Sequence, residues 1–380
     1  MLCSNAGKNC QNERNERFFR IFDAPGVKHL DEQKAATPVK RYSDYELLAR
    51  EMAALHNIPV RKNVGVFLSE GKGILKGMTV PERISFTPYV HNACSARCGF
   101  CSERLIRRHA GPGNPVTADF YSDKLGRILK DLSETELFLS VSGMEPLEDS
   151  AFVERALARF QRFEEEGGRI AEKVIYSNLS KAARDPEDVV RLVARYRIDR
   201  IETSRHHFDE GINERIMRFK RGQPVVHNDC YESAIRYLRD SVALRLACVV
   251  QKTGIHTLQD VIGYIDWAVS IGINDITFRE LSVFGNEVTG GSSYEYILLN
   301  RQNIYLFIEN LPNLFRLEEI IQGYYYFSFR YIFDGRVSVA FEASDYEEMI
   351  RHHSGSVVSK LIYYPNGDLC MDWNMGRKVY

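Results

Sequence analysis

Three cysteines share one eight-residue stretch, Cys94-Ser95-Ala96-Arg97-Cys98-Gly99-Phe100-Cys101, spaced x3 and then x2. Three thiolates on one short loop can converge on a single metal centre, and thiolate is the soft ligand that iron–sulfur clusters take. A four-iron cube has four corners, so three protein ligands leave one iron open to a substrate or cofactor. Two other chemistries compete for the same residues. A zinc site takes four ligands, often as paired C-x2-C units, and the chain has no second pair; a redox dithiol at Cys98 and Cys101 would leave Cys94 idle.

The elements that must position this loop follow from the pattern around it. Strand-like runs at 83–90, 136–142, 173–178, 199–204, 243–250 and 275–281 alternate with helical segments. The clearest helix has Leu258, Val261, Ile262, Ile265, Ala268 and Val269 on one face, Thr257 as N-cap and Gly272 past its end. Phe152, Val153, Ala156, Leu157 and Phe160 mark another, and Asp185-Pro186 starts a third. Such alternation predicts an α/β fold with a parallel sheet built by right-handed crossovers. Six units make a partial (β/α)6 TIM-like barrel over residues 81–282, with sites at the C-terminal ends of the strands. The cysteine loop sits at such an end.

Two flanks complete the expected organisation. Residues 1–80 read as a polar arm carrying Cys3 and Cys10, then a helical segment in which Ser43-Asp44-Tyr45-Glu46 caps a helix over 44–56. Residues 283–380 read as a β-rich C-terminal capping region. It opens with loops at Phe284-Gly285-Asn286 and Gly290-Gly291-Ser292-Ser293 and a helix over 302–311. Strands over 324–333, 337–341, 357–364 and 368–373 follow, with hairpin turns at Asp334-Gly335 and Pro365-Asn366-Gly367. The tyrosine-rich run at 324–333 reads as a strand with a half-buried aromatic face, or as the wall of a substrate cavity.

With an aromatic residue just before its last cysteine, the C-x3-C-x2-C motif resembles the signature of the radical S-adenosylmethionine (radical SAM) superfamily. The resemblance covers the barrel and implies a [4Fe-4S] cluster on Cys94, Cys98 and Cys101, shielded by Phe100. It implies S-adenosyl-L-methionine (SAM) chelated to the open iron, cleaved by the reduced cluster to methionine and a 5′-deoxyadenosyl radical. Ser142-Gly143-Met144-Glu145-Pro146 is similar to the family's Gly-Gly-Glu-Pro turn, which binds the SAM amino group, with Met144 at the second glycine. Asn178 stands in a small-Asn-Gly position near the ribose, with Leu179 in place of the glycine. Ser204 and Arg218 are similar to the pair that holds the SAM ribose or carboxylate in viperin and the molybdopterin-precursor cyclases, and Val249 falls near the adenine. The only cysteine of the C-terminal region is Cys370, which predicts one cluster. The family further implies an external electron donor such as flavodoxin or ferredoxin.

Other side chains at strand ends are candidates for substrate chemistry. His206 shares strand parity with Ser204 and can serve as acid or base. Alternation puts Arg245, Ala247 and Val249 on one face of their strand; the resemblance to viperin implies that this face looks inward, where Arg245 should meet a substrate carboxylate, a phosphate or an internal acid. Arg279 and Glu280 end the sixth strand. Cys248 reads as a core thiol, and becomes a hydrogen-atom donor if the parity is one residue out. These groups suit a small polar metabolite such as a sugar, nucleoside or amino-acid derivative. Oxidation, epimerisation, decarboxylation or rearrangement could follow hydrogen abstraction. The alternatives are a peptide-modifying radical SAM enzyme, and a non-catalytic iron–sulfur electron-transfer or zinc protein.

Composition bounds the rest. Of 380 residues, 44% are hydrophobic and 27% charged, which suits a globular chain with a sizeable core. A formal net charge of −1 gives no electrostatic footprint for nucleic acid or a membrane surface. No apolar run reaches the ~18 residues of a membrane span, and residues 1–11 lack the apolar core of a secretory signal. Sparse cysteines and a cluster-binding triplet predict a reducing, cytoplasmic setting.

Overall fold

The computed structural model describes residues 39–63, 68–91, 94–105, 114–284, 290–352, 355–373 and 377–380. The arm with Cys3 and Cys10 and the Gly285-Asn286 break lie outside the described residues. The strands are β1 Val60–Lys62, β2 Leu68–Glu70, β3 Thr79–Pro81, β4 Arg83–Val90, β5 Glu136–Gly143, β6 Arg169–Ser177, β7 Arg200–Ser204, β8 Ala243–Val250 and β9 Asp275–Glu280. After them come β10 Phe315–Gln322, β11 Tyr326–Phe333, β12 Val337–Ser344, β13 Lys360–Tyr363 and β14 Leu369–Met371. β2 and β3 form a separate antiparallel pair.

From β4 to β9 the strands lie side by side in chain order, each parallel to the next. The helices Ala118–Asp131, Ser150–Glu165, Pro186–Tyr196, Asn228–Leu238 and Leu258–Ser270 fall between them in the chain. This is the partial (β/α)6 barrel that the alternation predicts. The local signals hold as well: Thr257 Oγ1 accepts the Asp260 N–H at 3.1 Å, and Asp185 Oδ1 accepts the Asp188 N–H at 3.2 Å. The expected Ser43–Glu46 cap is not formed: the first helix is Tyr42–His56 with Arg41 at its N-cap, so Ser43 lies inside it, and the Asp44 carboxylate accepts the Arg41 N–H at 2.7 Å.

The two faces of the barrel sheet differ in chemistry. One carries Ile84, Phe86, Leu137, Leu139, Ile175, Ile201, Leu246, Cys248, Ile276 and Phe278, all buried in the main core. Cys248 is thus a core thiol. The alternate positions carry Thr87, Ser140, Tyr176, Glu202, Arg245, Thr277 and Arg279, which register keeps on one face. Thr87 and Ser140 hydroxyls pair at 2.6 Å. Glu202 meets Arg279 at 2.7 Å, and Arg245 meets Asp275 at 2.7 Å. Buried charges of this kind persist only when paired.

The C-terminal strands extend the barrel sheet at both edges. β12 adds parallel to β9, followed by β11 and β10 antiparallel and β1 parallel to β10; at the other edge β13 adds parallel to β4 and β14 antiparallel to β13. The result is one twelve-stranded sheet. β10 and β1 carry no clear alternation in sequence, and the helix expected over 302–311 is the short turn Tyr305–Ile308. The serines after Gly290-Gly291 begin a helix, Ser292–Asn300. Phe327, Phe329 and Tyr331 are buried on one face of β11, and Tyr42 packs on Phe327 with ring centres 4.8 Å apart. Tyr324 Oη donates to Asp372 at 3.0 Å, joining the chain before β11 to the chain after β14.

Among the described residues no helix is long and apolar enough to cross a membrane.

Gly143 fixes where β5 ends against β4. Its φ is +126°, and a Cβ there would lie 2.3 Å from the Val90 carbonyl oxygen and 2.8 Å from its nitrogen. Backbone strain and overpacking add, so Gly143→Ala is expected to lower stability by roughly 2 to 4 kcal/mol in urea unfolding. A loss below about 0.5 kcal/mol, the range of neutral surface changes, would contradict the close approach.

Candidate active site

The cysteine loop leaves β4 and docks through its backbone on the end of the helix Glu210–Met217. Arg97 N–H donates to Met217 O at 2.9 Å and to Arg218 O at 3.1 Å, Gly99 N–H to Ile216 O at 3.1 Å, and Lys220 N–H to Ser95 O at 2.8 Å. The helix end leaves carbonyls without intrahelical partners, and the loop supplies their donors. Arg218 caps that helix in the left-handed region, φ 52°, which turns the chain back toward the loop. Gly99 is needed for contact: a Cβ there would lie 2.6 Å from the Tyr296 ring. Tyr296 in turn donates to Gln251 Oε1 at 2.8 Å, and the Arg218 guanidinium lies 5.6 Å from its ring centre.

Burial pushes the Cys94 thiol up to about 12, with the Glu145 charge adding, and drives Cys98 and Cys101 upward too. Each of Cys94 and Cys98 also feels Cys101. Ala96 N–H points at Cys94 Sγ at 3.4 Å, and the Asn178 amide lies 3.8 Å from the same sulfur.

The ends of β5 to β8 bring most of the expected cofactor residues to this loop. Met144 N–H donates to Val90 O at 2.9 Å, so the turn after Gly143 is stitched to the strand that feeds the cysteines. Met144 is not in the left-handed region, which explains why this position does not require the family's second glycine. Glu145 is buried; its carboxylate accepts from Ser177 Oγ at 2.6 Å and Asn178 N–H at 2.7 Å, yet burial still lifts it to about 7. Asn178 exchanges hydrogen bonds with Ser95 at 2.9 and 3.3 Å, so it braces the cysteine loop. Leu179 occupies the family's glycine position with φ 60° and is fully buried. The backbone keeps the glycine-like conformation, and complete burial of the leucine offsets a strain of about 1–2 kcal/mol. Ser204 ends β7 half-buried, in register with Ala247.

His206 lies in the wall of the site. Its ring meets Phe100 edge-on with centres 4.8 Å apart, and Nδ1 accepts the Val249 N–H at 3.0 Å. Phe100 and Val249 pack against the same small cluster of Leu105, Leu281 and Ile297. Burial, aided by the Arg205 charge, pushes the imidazole down to about 3. The ring is therefore neutral and carries its proton on Nε2, so Nδ1 is not available as a base.

The remaining substrate candidates separate. Arg245 lies near the start of β8, the end of the barrel away from the cysteine loop, held by Asp275 at 2.7 Å and Glu202 at 3.9 Å. It meets internal acids. Glu280 has opposite parity to Arg279 and turns out of the barrel, where Tyr45 donates to its carboxylate and Ile304 N–H follows at 3.2 Å. Arg279 stays inside, between Glu202 at 2.7 Å and Glu342 at 2.8 Å, with about a third of its side chain (34%) reached by solvent. Register sets it beside Val249.

Sequence reasoning did not single out Asn213, Glu103, Tyr296 or Lys360. Asn213 Oδ1 accepts the His206 N–H at 2.9 Å, and Tyr89 Oη donates to Glu103 at 2.6 Å. Lys360 Nζ sits 4.6 Å above the Trp373 ring, and burial lowers its pKa despite Asp372 and Glu103. The spacing of Glu103 to Cys101 was a readable signal; the other three depend on long-range packing.

Among the described residues no three His, Cys, Asp or Glu side chains are placed to hold one metal ion. A cube makes a different demand, since each thiolate binds its own iron. The donor set fits that group: three half-buried thiols on one loop, with Cys98 feeling the charge of the other two and amides aimed at Cys94. Cationic iron would offset the cost of ionising them. For SAM, the fit rests on the Glu145 carboxylate, the Ser204 hydroxyl and the apolar Val249 arriving on neighbouring strand ends.

No protein-family model and no curated protein matches the chain. Solved structures do match. Native anSMEcpe with bound AdoMet aligns at 13% identity and TM-score 0.40, over 52% of this chain and 50% of that one. Streptococcus suis SuiB bound to S-adenosylmethionine aligns at 14% and 0.43, over 96% and 70%. Coproporphyrinogen III oxidase (HemN) from Escherichia coli, a radical SAM enzyme, aligns at 8% and 0.36, over 82% and 74%. The chain thus spans about half the length of anSMEcpe. HemN belongs to the family that the cysteine motif resembles.

The neutral state of His206 has a thermodynamic consequence. Its folded pKa, about 3, lies below the unfolded value of about 6.5. The unfolded chain therefore binds the extra proton first, and stability falls as pH drops below about 6.5 until the folded group also titrates near 3. The slope is up to about 1.4 kcal/mol per pH unit. Comparing urea unfolding of the protein and its His206→Gln variant between about pH 5 and 7 should show a shallower slope in the variant. Equal slopes would show that His206 is not buried neutral.

Proposed function

We propose that this chain is a radical SAM enzyme acting on a small polar metabolite. The observation that carries the reading is the convergence of Cys94, Cys98 and Cys101 with the Gly143–Glu145 turn, Asn178, Ser204 and Val249 at successive C-terminal strand ends of one parallel sheet. When bound, the cluster and SAM would together supply a 5′-deoxyadenosyl radical. The chain's own residues would do the rest. Glu145 would accept from the SAM ammonium with lone pairs left over from Ser177 and Asn178. Ser204 and Arg218 would hold the ribose or carboxylate, and Val249 with Phe100 would cover the adenine and exclude water.

The barrel interior supports a polar substrate. Arg279, Glu342, Tyr176 and Lys360 share the face that looks inward. Burial lowers the ammonium of Lys360 and raises the phenol of Tyr176. The Arg279 charge and hydrogen bond hold the Glu342 carboxyl low against its burial. A polar metabolite could exchange hydrogen bonds with this set without leaving a charge unpaired. An acidic one-electron carrier would supply the electron from outside.

The test is anaerobic reconstitution with iron and sulfide, reduction with dithionite, addition of SAM, and chromatography of 5′-deoxyadenosine. Cys94→Ala, Cys98→Ala and Cys101→Ala should each lower product by at least about a hundredfold, since loss of a ligand removes the centre and not one contact. Iron content should stay near four per cube in the parent protein. Product formation that survives any one of the three substitutions would overturn the assignment, and clearly more than four irons per chain would overturn the single-cluster reading.

A further inference from the structure

The outer side of the cysteine loop carries charge that the protein does not use internally. Arg97, Arg215 and Arg221 are exposed and Lys220 is half-exposed. Among the described residues none of the four makes an ion pair. Cations nearby behave differently: Lys181 pairs with Asp185 at 3.1 Å, and Arg184 with Glu148 at 2.6 Å. The four are close to one another because the backbone makes them so. Arg97 lies between two of the cysteines and donates to the Met217 and Arg218 carbonyls; Lys220 donates to Ser95. A groove of about 350 Å³ adjoins them, lined by Phe219, Lys220, Arg221, Gln223 and Val226, with Glu214 at its edge.

We infer that this cationic collar is the docking surface for a small acidic electron-carrier protein, a flavodoxin or ferredoxin with carboxylates around its redox group. The inference rests on the reading of the cysteines as cluster ligands and adds to it the place where the electron enters. Unpaired cations concentrated on one face of a chain with net charge −1 steer an anionic partner to that face. Here the face is the loop that carries Cys94 and Cys98. In the docked pair one electron leaves the carrier, which is oxidised by one electron, and enters the cluster, which is reduced by one. No proton or leaving group is involved. The half-buried Val226 would give the carrier an apolar contact inside the charged rim, the usual division between core and rim of an interface.

The experiment uses the full chain with its cluster and a recombinant acidic flavodoxin as the probe. Binding is measured by biolayer interferometry from about 50 to about 300 mM salt, across which surface charges are progressively screened. The parent protein should bind with an affinity that falls as salt rises. Arg97→Glu with Lys220→Glu and Arg221→Glu should weaken binding at low salt by at least about tenfold. The neutral triple variant, with Gln at the same positions, should fall between and guards against a folding defect. Iron content and dithionite-driven 5′-deoxyadenosine formation should match the parent in both variants. Undiminished flavodoxin binding by the reversed variant, or binding indifferent to salt, overturns the docking surface while leaving the enzyme reading intact. A parent protein that takes up no iron–sulfur cluster removes the enzyme reading, and the docking claim falls with it.

Discussion

The structure depends on how a short loop of three cysteines can be held rigid without secondary structure of its own. Its backbone donors need acceptors, and the available set is the carbonyl end of the helix Glu210–Met217, which follows β7, three strands further along the sheet. Arg97 and Gly99 donate to it, at Met217, Arg218 and Ile216, and the Ser95 carbonyl in turn accepts the Lys220 N–H. Both partners have groups that would be costly to bury unpaired, so the contact satisfies the loop and terminates the helix at once. Arg218 in its left-handed conformation is the hinge of this arrangement. A candidate SAM ligand and the seat of the cysteine loop are therefore fixed by the same few residues.

A second constraint comes from the sheet. A partial barrel of parallel strands has two unsatisfied edges, and exposed edges invite pairing with other chains. Here the C-terminal chain covers both, with β12 on β9 and β13 on β4. Because these strands keep the barrel's register, their alternate residues enter the same interior. Glu342 reaches Arg279, Arg330 reaches Asp275, and Lys360 lies in register with Ser85. The tie between Tyr324 and Asp372 then spans the two additions. The C-terminal strands are thus part of the wall of the barrel, and their inward residues share its interior.

The six barrel strands and the cysteine loop were legible because their signals are local: alternation, a cap at Thr257, and cysteines fixed by spacing. Leu179 shows the reach of such reading, since the backbone conformation expected of a glycine is present even where the glycine is absent. Arg245 and Glu280 show where it stops. Parity alone distinguishes two faces of a strand, but it does not say how far along the barrel a side chain sits or what lies opposite it. Arg245 faces inward and still belongs to a structural ion-pair ladder near the start of its strand. Glu280 is one residue past an inward-facing arginine and therefore points out toward Tyr45. Neither Asp275 nor Tyr45 is marked as the partner by anything in the local sequence. β10 escaped notice for a similar reason, since Glu318 and Glu319 interrupt its alternation and the ladder shifts register between Leu317 and Glu319.

Charge is distributed differently in the barrel interior, beside the cysteine loop and on its outer side. On the barrel's inner face Arg245 and Arg279 are paired with carboxylates, while Lys360 lies over the Trp373 ring. His206 beside the cysteine loop is held neutral by burial and by its bond to Val249, which keeps a fluctuating proton away from Phe100 and the cysteines. The unpaired positive charge is placed outside, on Arg97, Arg215, Lys220 and Arg221. The cysteine loop thus has a neutral histidine and the carboxyls of Glu145 and Glu103 near its thiols, and cations toward solvent. Exposed cations of this kind attract anions to that face and not to the barrel interior.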